Sequence, residues 1–323
     1  MLSKRLLLRF PIGGGVSGAL IVLLALVAVF AVTAPGFFTA SNGSTMVRQG
    51  ASLAIVTFGM TLCIATGGLD LSVGSLMALS AVVSGLGFVG GWGVLPSVMA
   101  GLVAATALGA ANGSLIAVVG MPPFVATLGM MGVARGLALV LCNGNAISGI
   151  DPAFLAFMGG TVAGVPVVLM FVLTALAASY FLLSHTGWGI SLLAIGGNRA
   201  GARLAGLSVR RDELLAYVYS GLLAGVAGLI TISRMNVAHP LAGQGYEFDA
   251  MAAAVIGGAG LEGGRGTALG ALVGAVFITV LRSGLAVLGV GLQFQLLAVG
   301  VVIALAFALD HLSARNRAVE EAA

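Results

Sequence analysis

Apolar residues fall in ten long runs, separated by short polar or glycine-rich breaks. A helix that crosses a bilayer needs about 20 mainly apolar residues. On that measure the pattern predicts spans at Gly15–Thr33, Ala51–Thr66, Leu71–Val89, Val94–Val119 and Pro123–Cys142. It continues with Val165–Leu183, Glu213–Ile232, Asp249–Gly260, Thr267–Leu288 and Gly291–Leu309. The eighth run is too short to cross alone, which predicts a broken helix or one that runs on into its neighbour. The first run follows Lys4, Arg5 and Arg9, and no small-residue cleavage site stands out. It reads as an uncleaved anchor.

The remaining basic clusters orient the bundle. Arg199, Arg203, Arg210 and Arg211 lie in the Ser184–Arg211 loop, and Arg315 and Arg317 lie in the tail. The Asn143–Gly164 loop carries Asp151 and no Lys or Arg. Basic loops stay on the cytoplasmic side. The expected fold is therefore an all-α, polytopic transmembrane bundle of about ten spans with both termini cytoplasmic. Its expected parts are a cytoplasmic segment over 1–14, one membrane domain over 15–312 with a cytoplasmic loop at 184–212, and a cytoplasmic tail over 313–323.

Composition narrows the class further. Only 7% of the 323 residues are charged and 59% are hydrophobic, with a mean hydropathy of +1.15. So few charges cannot cover a soluble surface. This excludes a soluble globular domain, a disordered chain and a nucleic-acid binder. The 51 glycines follow no three-residue period and instead suit closely packed membrane helices. Gly266/Gly270/Gly274, Gly109/Gly113, Gly132/Gly136 and Gly221/Gly225 are spaced for such packing. Cys63 and Cys142 sit in apolar runs and read as small buried hydrophobes. His185, His239 and His311 show no metal-ligand spacing. Lys4 is the one lysine, so the glycine-rich turn Gly257–Thr267 lacks the lysine of a P-loop. No cofactor is expected on this chain, and any ATP must be bound by a partner.

A few polar residues stand out against the apolar background. Asp70 and Ser72, between the second and third spans, could cap the third helix or mark a translocation path. Arg135 lies in mid-span, where an unpaired arginine costs at least about 2.5–3.5 kcal/mol. It must pair with carbonyls or with an acid, Asp70 being one option. Asn112 adds a polar point in the fourth span, and Arg282, late in the ninth, could snorkel to the outer interface. The stretch Ile195–Leu207 reads as a short helix with Asn198 as N-cap and Gly206 as stop. Arg199 and Arg203 share one face of it, as part of a surface helix or a docking knob. Gly67–Asp70 and Gly257–Glu262 form a faint internal echo of glycine turns. Trp92 and Trp188 fall at expected interfaces.

The stretch Ile64–Ser75 (IATGGLDLSVGS) resembles the signature of the permease subunits of ribose-type, simple-sugar ABC importers. So do Asn112-Gly, Pro122–Met131, Ala134-Arg-Gly, Ala194–Asn198 through Ala205–Ser208, Ala238–Ala250, Val255–Gly258 and Gly263–Thr267. The likeness runs from about Ala51 to Leu312, with the motifs in order. His239 and Arg282 depart from it, since the family pattern favours an uncharged polar residue and an amide there. The resemblance implies a bacterial inner-membrane permease that pairs with a second permease copy, an ABC ATPase subunit and a sugar-binding protein. It implies that Gly196, Gly197, Asn198, Arg199, Arg203 and Gly206 form the ATPase-facing segment. It leaves Asp70, Ser72, Asn112 and Arg135 as path or polar-core residues. An ion-coupled secondary transporter is the competing reading, with Asp70 as its coupling acid. No paired-carboxylate or Ser-His-Asp arrangement suggests an enzyme.

Overall fold

A computed structural model gives the fold and describes residues 14–305 and residue 308. Residues 1–13 of the expected cytoplasmic segment, the tail over 313–323 and the end of the last span lie outside the described residues. The described residues are mainly helical: α1 Gly14–Thr33, α2 Ala40–Ala65, α3 Val73–Val89, α4 Val94–Ser114 and α5 Pro123–Leu141. Then come α6 Pro152–Gly159, α7 Val167–His185, α8 Gly187–Gly197, α9 Arg199–Leu204 and α10 Val209–Met235. The last are α11 Tyr246–Ile256, α12 Ala268–Val287 and α13 Leu292–Leu305. Among the described residues the one sheet is a two-stranded antiparallel hairpin, Thr161–Val162 with Val165–Pro166.

Seven of these helices are long and apolar enough to cross a membrane, and each matches one expected span. The other three expected spans correspond to α3, α11 and α13, which are shorter. The boundaries differ most at α2, which starts at Ala40 rather than Ala51. Every residue from Ala51 to Ala65 is buried, so the apolar run reported burial. The preceding polar turns are helical because Thr39 caps them, its side chain accepting from the Asn42 N–H. The expected loop at Asn143–Gly164 contains α6, capped by Asp151.

The core is built on α2, α3 and α10, with α4 against α10 and α3, and α12 and α11 against α2. Glycine makes the close approaches possible. A side chain on Gly109 of α4 would lie 3.0 Å from Gly221 Cα on α10, and one on Gly274 of α12 would strike the Ala253 carbonyl of α11. A side chain on Gly132 or Gly136 of α5 would meet nothing within 4 Å, so this pair, unlike the others, makes no close helix contact inside the chain.

Candidate functional site

Three clusters collect the polar residues. The first surrounds Asp70, which is fully buried. Its Oδ1 accepts from Ser72 N–H at 3.0 Å and Ser72 Oγ at 2.6 Å, and its Oδ2 accepts from Ser220 Oγ on α10 at 2.7 Å. Asn112 Nδ2 on α4 donates to Ser72 Oγ at 2.8 Å. Asp70 thus caps the turn into α3, as its position suggested. Ser72 is the N-cap residue but makes no side-chain cap bond; its hydroxyl instead links Asp70 to Asn112. The knot ties α3, α4 and α10 together, and it leaves Asn112 Oδ1 and the neighbouring Ser75 Oγ without partners.

The second cluster is a junction of glycine turns. Gly67 ends the turn after α2 with φ +81°, and Gly263 and Gly264 enter the turn before α12 with φ +92° and +73°. Gly264 N–H donates to the Ala65 carbonyl at 3.0 Å. A side chain on Gly263 would lie 2.7 Å from Gly196 Cα, and one on Gly264 would lie 3.0 Å from Gly197 Cα. The two turns that echo each other in sequence therefore pack together, with the end of α8 as the third member. Beyond Gly197 the chain breaks at Asn198, whose side chain caps α9 by accepting from Gly201 N–H at 2.8 Å. Gly206 stops α9 with φ +80°. Its N–H bonds the Arg203 carbonyl, and Leu207 N–H bonds the Ala202 carbonyl, the pattern of a Schellman stop. Arg199 makes a bidentate ion pair with buried Glu213 of α10. Arg203 is exposed, and Leu204 is 90% exposed. Of the six residues expected to face a partner, Gly196 and Gly197 meet the glycine turns, Asn198 and Gly206 start and stop α9, Arg199 pairs with Glu213, and all but Gly196 are exposed. Glu213 had escaped notice because it stands fourteen residues from its partner, at the head of an apolar run.

The third cluster lies where α10 passes into α11. Ala238 packs on Gly85 of α3, and Gly243 packs on Gly74. Those contacts are eleven residues apart on α3, so the turned connection between them runs back along much of that helix before the short α11 begins. It has the shape of a re-entrant segment. Arg135 Nη1 donates to the carbonyls of Pro240 and Ala242, at 2.7 and 3.0 Å. Carbonyls, and not Asp70, are its partners. Arg282 donates to Asp249 at 2.8 Å, so it is paired inside the bundle and does not snorkel outward as expected. Glu247 Oε1 accepts from Gly245 N–H at 3.2 Å, while its buried Oε2 and Arg282 Nε have no partner. Glu247 and Asp249 were legible as acids at membrane depth but were not singled out.

Cys63 and Cys142 are buried and unpaired. Among the described residues no group of His, Cys, Asp and Glu could hold a metal.

Seven helices long and apolar enough to cross a membrane, closely packed on glycines, define a multi-pass membrane protein. Residues 42–307 match the family described as the branched-chain amino acid transport system / permease component, and the chain belongs to it. It is 40% identical to the ribose import permease protein RbsC of Escherichia coli K12 over 298 residues, 91% of this chain and 92% of the relative. It is 40% identical to RbsC of Bacillus subtilis 168 over 91% and 92% of the two chains. Identity to the D-allose transport system permease protein AlsC of E. coli K12 is 34% over 91% of each chain. No solved structure is significantly similar to it.

Proposed function

We propose that this chain is the membrane-spanning subunit of an ATP-driven bacterial importer for a simple sugar, a pentose or hexose. The observation that carries the reading is α9. Its base is locked into the bundle through Gly196, Gly197 and the Arg199–Glu213 pair, while Arg203 and Leu204 project outward. That shape suits transmission of force from a separate ATPase subunit, because a rigid base passes on whatever moves the tip. The ribose and allose permeases named among its relatives support a sugar as cargo. A binding protein would deliver the sugar, a second copy of the chain would complete the path, and ATP would be bound and hydrolysed by the partner.

In this reading the chain sits in the inner membrane with ten membrane segments and both termini in the cytoplasm. Seven are full-length helices, and α3, α11 and α13 are shorter members. Asp70, already engaged by Ser72 and Ser220, serves as a structural knot and not as an ion-coupling acid.

The test is a tagged pull-down from native membranes in mild detergent, read by mass spectrometry. An ATPase subunit is expected to co-purify, and Arg203→Glu is expected to lower its yield. A chain that purifies without any ATPase and transports in proteoliposomes under an ion gradient alone would overturn the proposal.

A further inference from the structure

Irregular backbone at membrane depth is tolerated only where it is buried in protein or lines a water-filled cavity. The re-entrant segment satisfies half of that rule on one side. Ala238, Pro240, Ala242 and Gly243 are buried against the bundle, and Arg135 clamps two of their carbonyls. Its other side is bare. Gln244 is exposed and Phe248, in the first turn of α11, is 50% exposed. Gly243 lies beside Gly74 in the first turn of α3, so in the proposed topology this bare side sits in the inner half of the membrane. A bare amide at such depth is expensive in lipid. The exposed residues of α4, α5 and α7, by contrast, include many large apolar ones, among them Leu95, Val103, Phe124, Val133, Leu173 and Phe181.

We propose that Gln244 and Phe248 line the aqueous path and contact the sugar as it crosses. The proposal rests on the sugar-import reading for its solute and on the segment's geometry for its place. The carboxamide of Gln244 offers one acceptor and two donor hydrogens, a match for neighbouring sugar hydroxyls. The ring of Phe248 offers an apolar face for the C–H side of a sugar. Arg135 acts as a positioning residue: by holding the carbonyls of Pro240 and Ala242 it fixes the segment that presents Gln244. Two weak contacts of this kind allow passage without trapping, as a path requires.

Two readouts test this in the full-length chain. Cys63 and Cys142 are buried, so the wild type is a quiet background for a charged, membrane-impermeant thiol reagent. In right-side-out and inverted native vesicles, Gln244→Cys and Phe248→Cys are expected to label from at least one side, and faster than Leu173→Cys on α7. Labelling as slow as that of Leu173→Cys from both sides would overturn the path assignment. For the sugar contact, Gln244→Ala at normal expression is expected to raise the KM for uptake about fivefold, the value of one hydrogen bond. It should also change the preference between ribose and allose. Unchanged KM and preference would overturn the contact. A wild type that takes up no sugar with ATP would remove the solute assignment, while thiol labelling would still decide the path.

Discussion

The glycine junction and the re-entrant layer are built by opposite means. At the junction, backbone meets backbone: Gly67, Gly196, Gly197, Gly263 and Gly264 touch without side chains, and Gly264 N–H finds the Ala65 carbonyl. At the re-entrant layer, long charged side chains span the gaps, and Glu247 Oε2 and Arg282 Nε stay unpartnered. Close-packed backbone has one arrangement and transmits displacement. A layer with spare bonding capacity can take a second arrangement at small cost. The difference teaches where each task belongs: stiffness beneath α9, and adaptability where the segment faces open space.

The sharpest way to break this contrast is Gly263→Val. The residue sits at φ +92° with Gly196 Cα in the way, so strain of about 1–3 kcal/mol adds to an overlap with backbone. We expect at least about a tenfold loss of folded protein in the membrane, measured by fluorescence-detected size exclusion. Near wild-type yield would show that the junction is looser than its geometry. Next in size is Arg282→Ala, which strands Asp249 in the interior and should destabilise by about 3–5 kcal/mol. The neutral pair Arg282→Gln with Asp249→Asn should recover most of the melting temperature. If the double variant melts no higher than the single one, the ion pair is not the source of the effect.

Glu247→Gln probes the spare capacity directly. One carboxylate oxygen has no partner to lose, so thermal stability should change by less than about 1 kcal/mol. A large drop would reveal a bond to Oε2 that the described contacts lack. The smallest effect is expected for Gly132→Ala on α5. Nothing lies within 4 Å of the added methyl, and helix propensity alone favours alanine by about 1 kcal/mol. Stability equal to or slightly above wild type in detergent is the expected melting result. A loss of dimer at equal stability would place a second copy against this face.

Much of the architecture could be read from the chain because membrane helices are written in long apolar runs. Asn198 and Gly206 were legible for a related reason: cap and stop are local chemistry, set by residues within one or two turns. Asp70 likewise announced its cap two residues ahead of Ser72. What stayed hidden was mostly long-range. Arg135 meets carbonyls more than 100 residues away, and Asp70 meets Ser220 across 150. No spacing rule reaches that far. The early start of α2 was missed because its first turns are polar and held by a cap. The re-entrant descent was foreshadowed only by the shortness of the eighth run. Gln244 and Phe248 fall inside the Ala238–Ala250 motif, but the motif marks no role for either, since their meaning comes from position and exposure together.

Leu204 carries a consequence for binding. A leucine left 90% bare beside Arg203 keeps on the order of 2 kcal/mol of burial in reserve. A lone exposed leucine is ordinary on a protein surface, but this one stands at the tip of α9. A surface that covered it would gain up to roughly thirtyfold in affinity from that side chain. Packing at α9 would then add to the charge of Arg203 in holding such a partner.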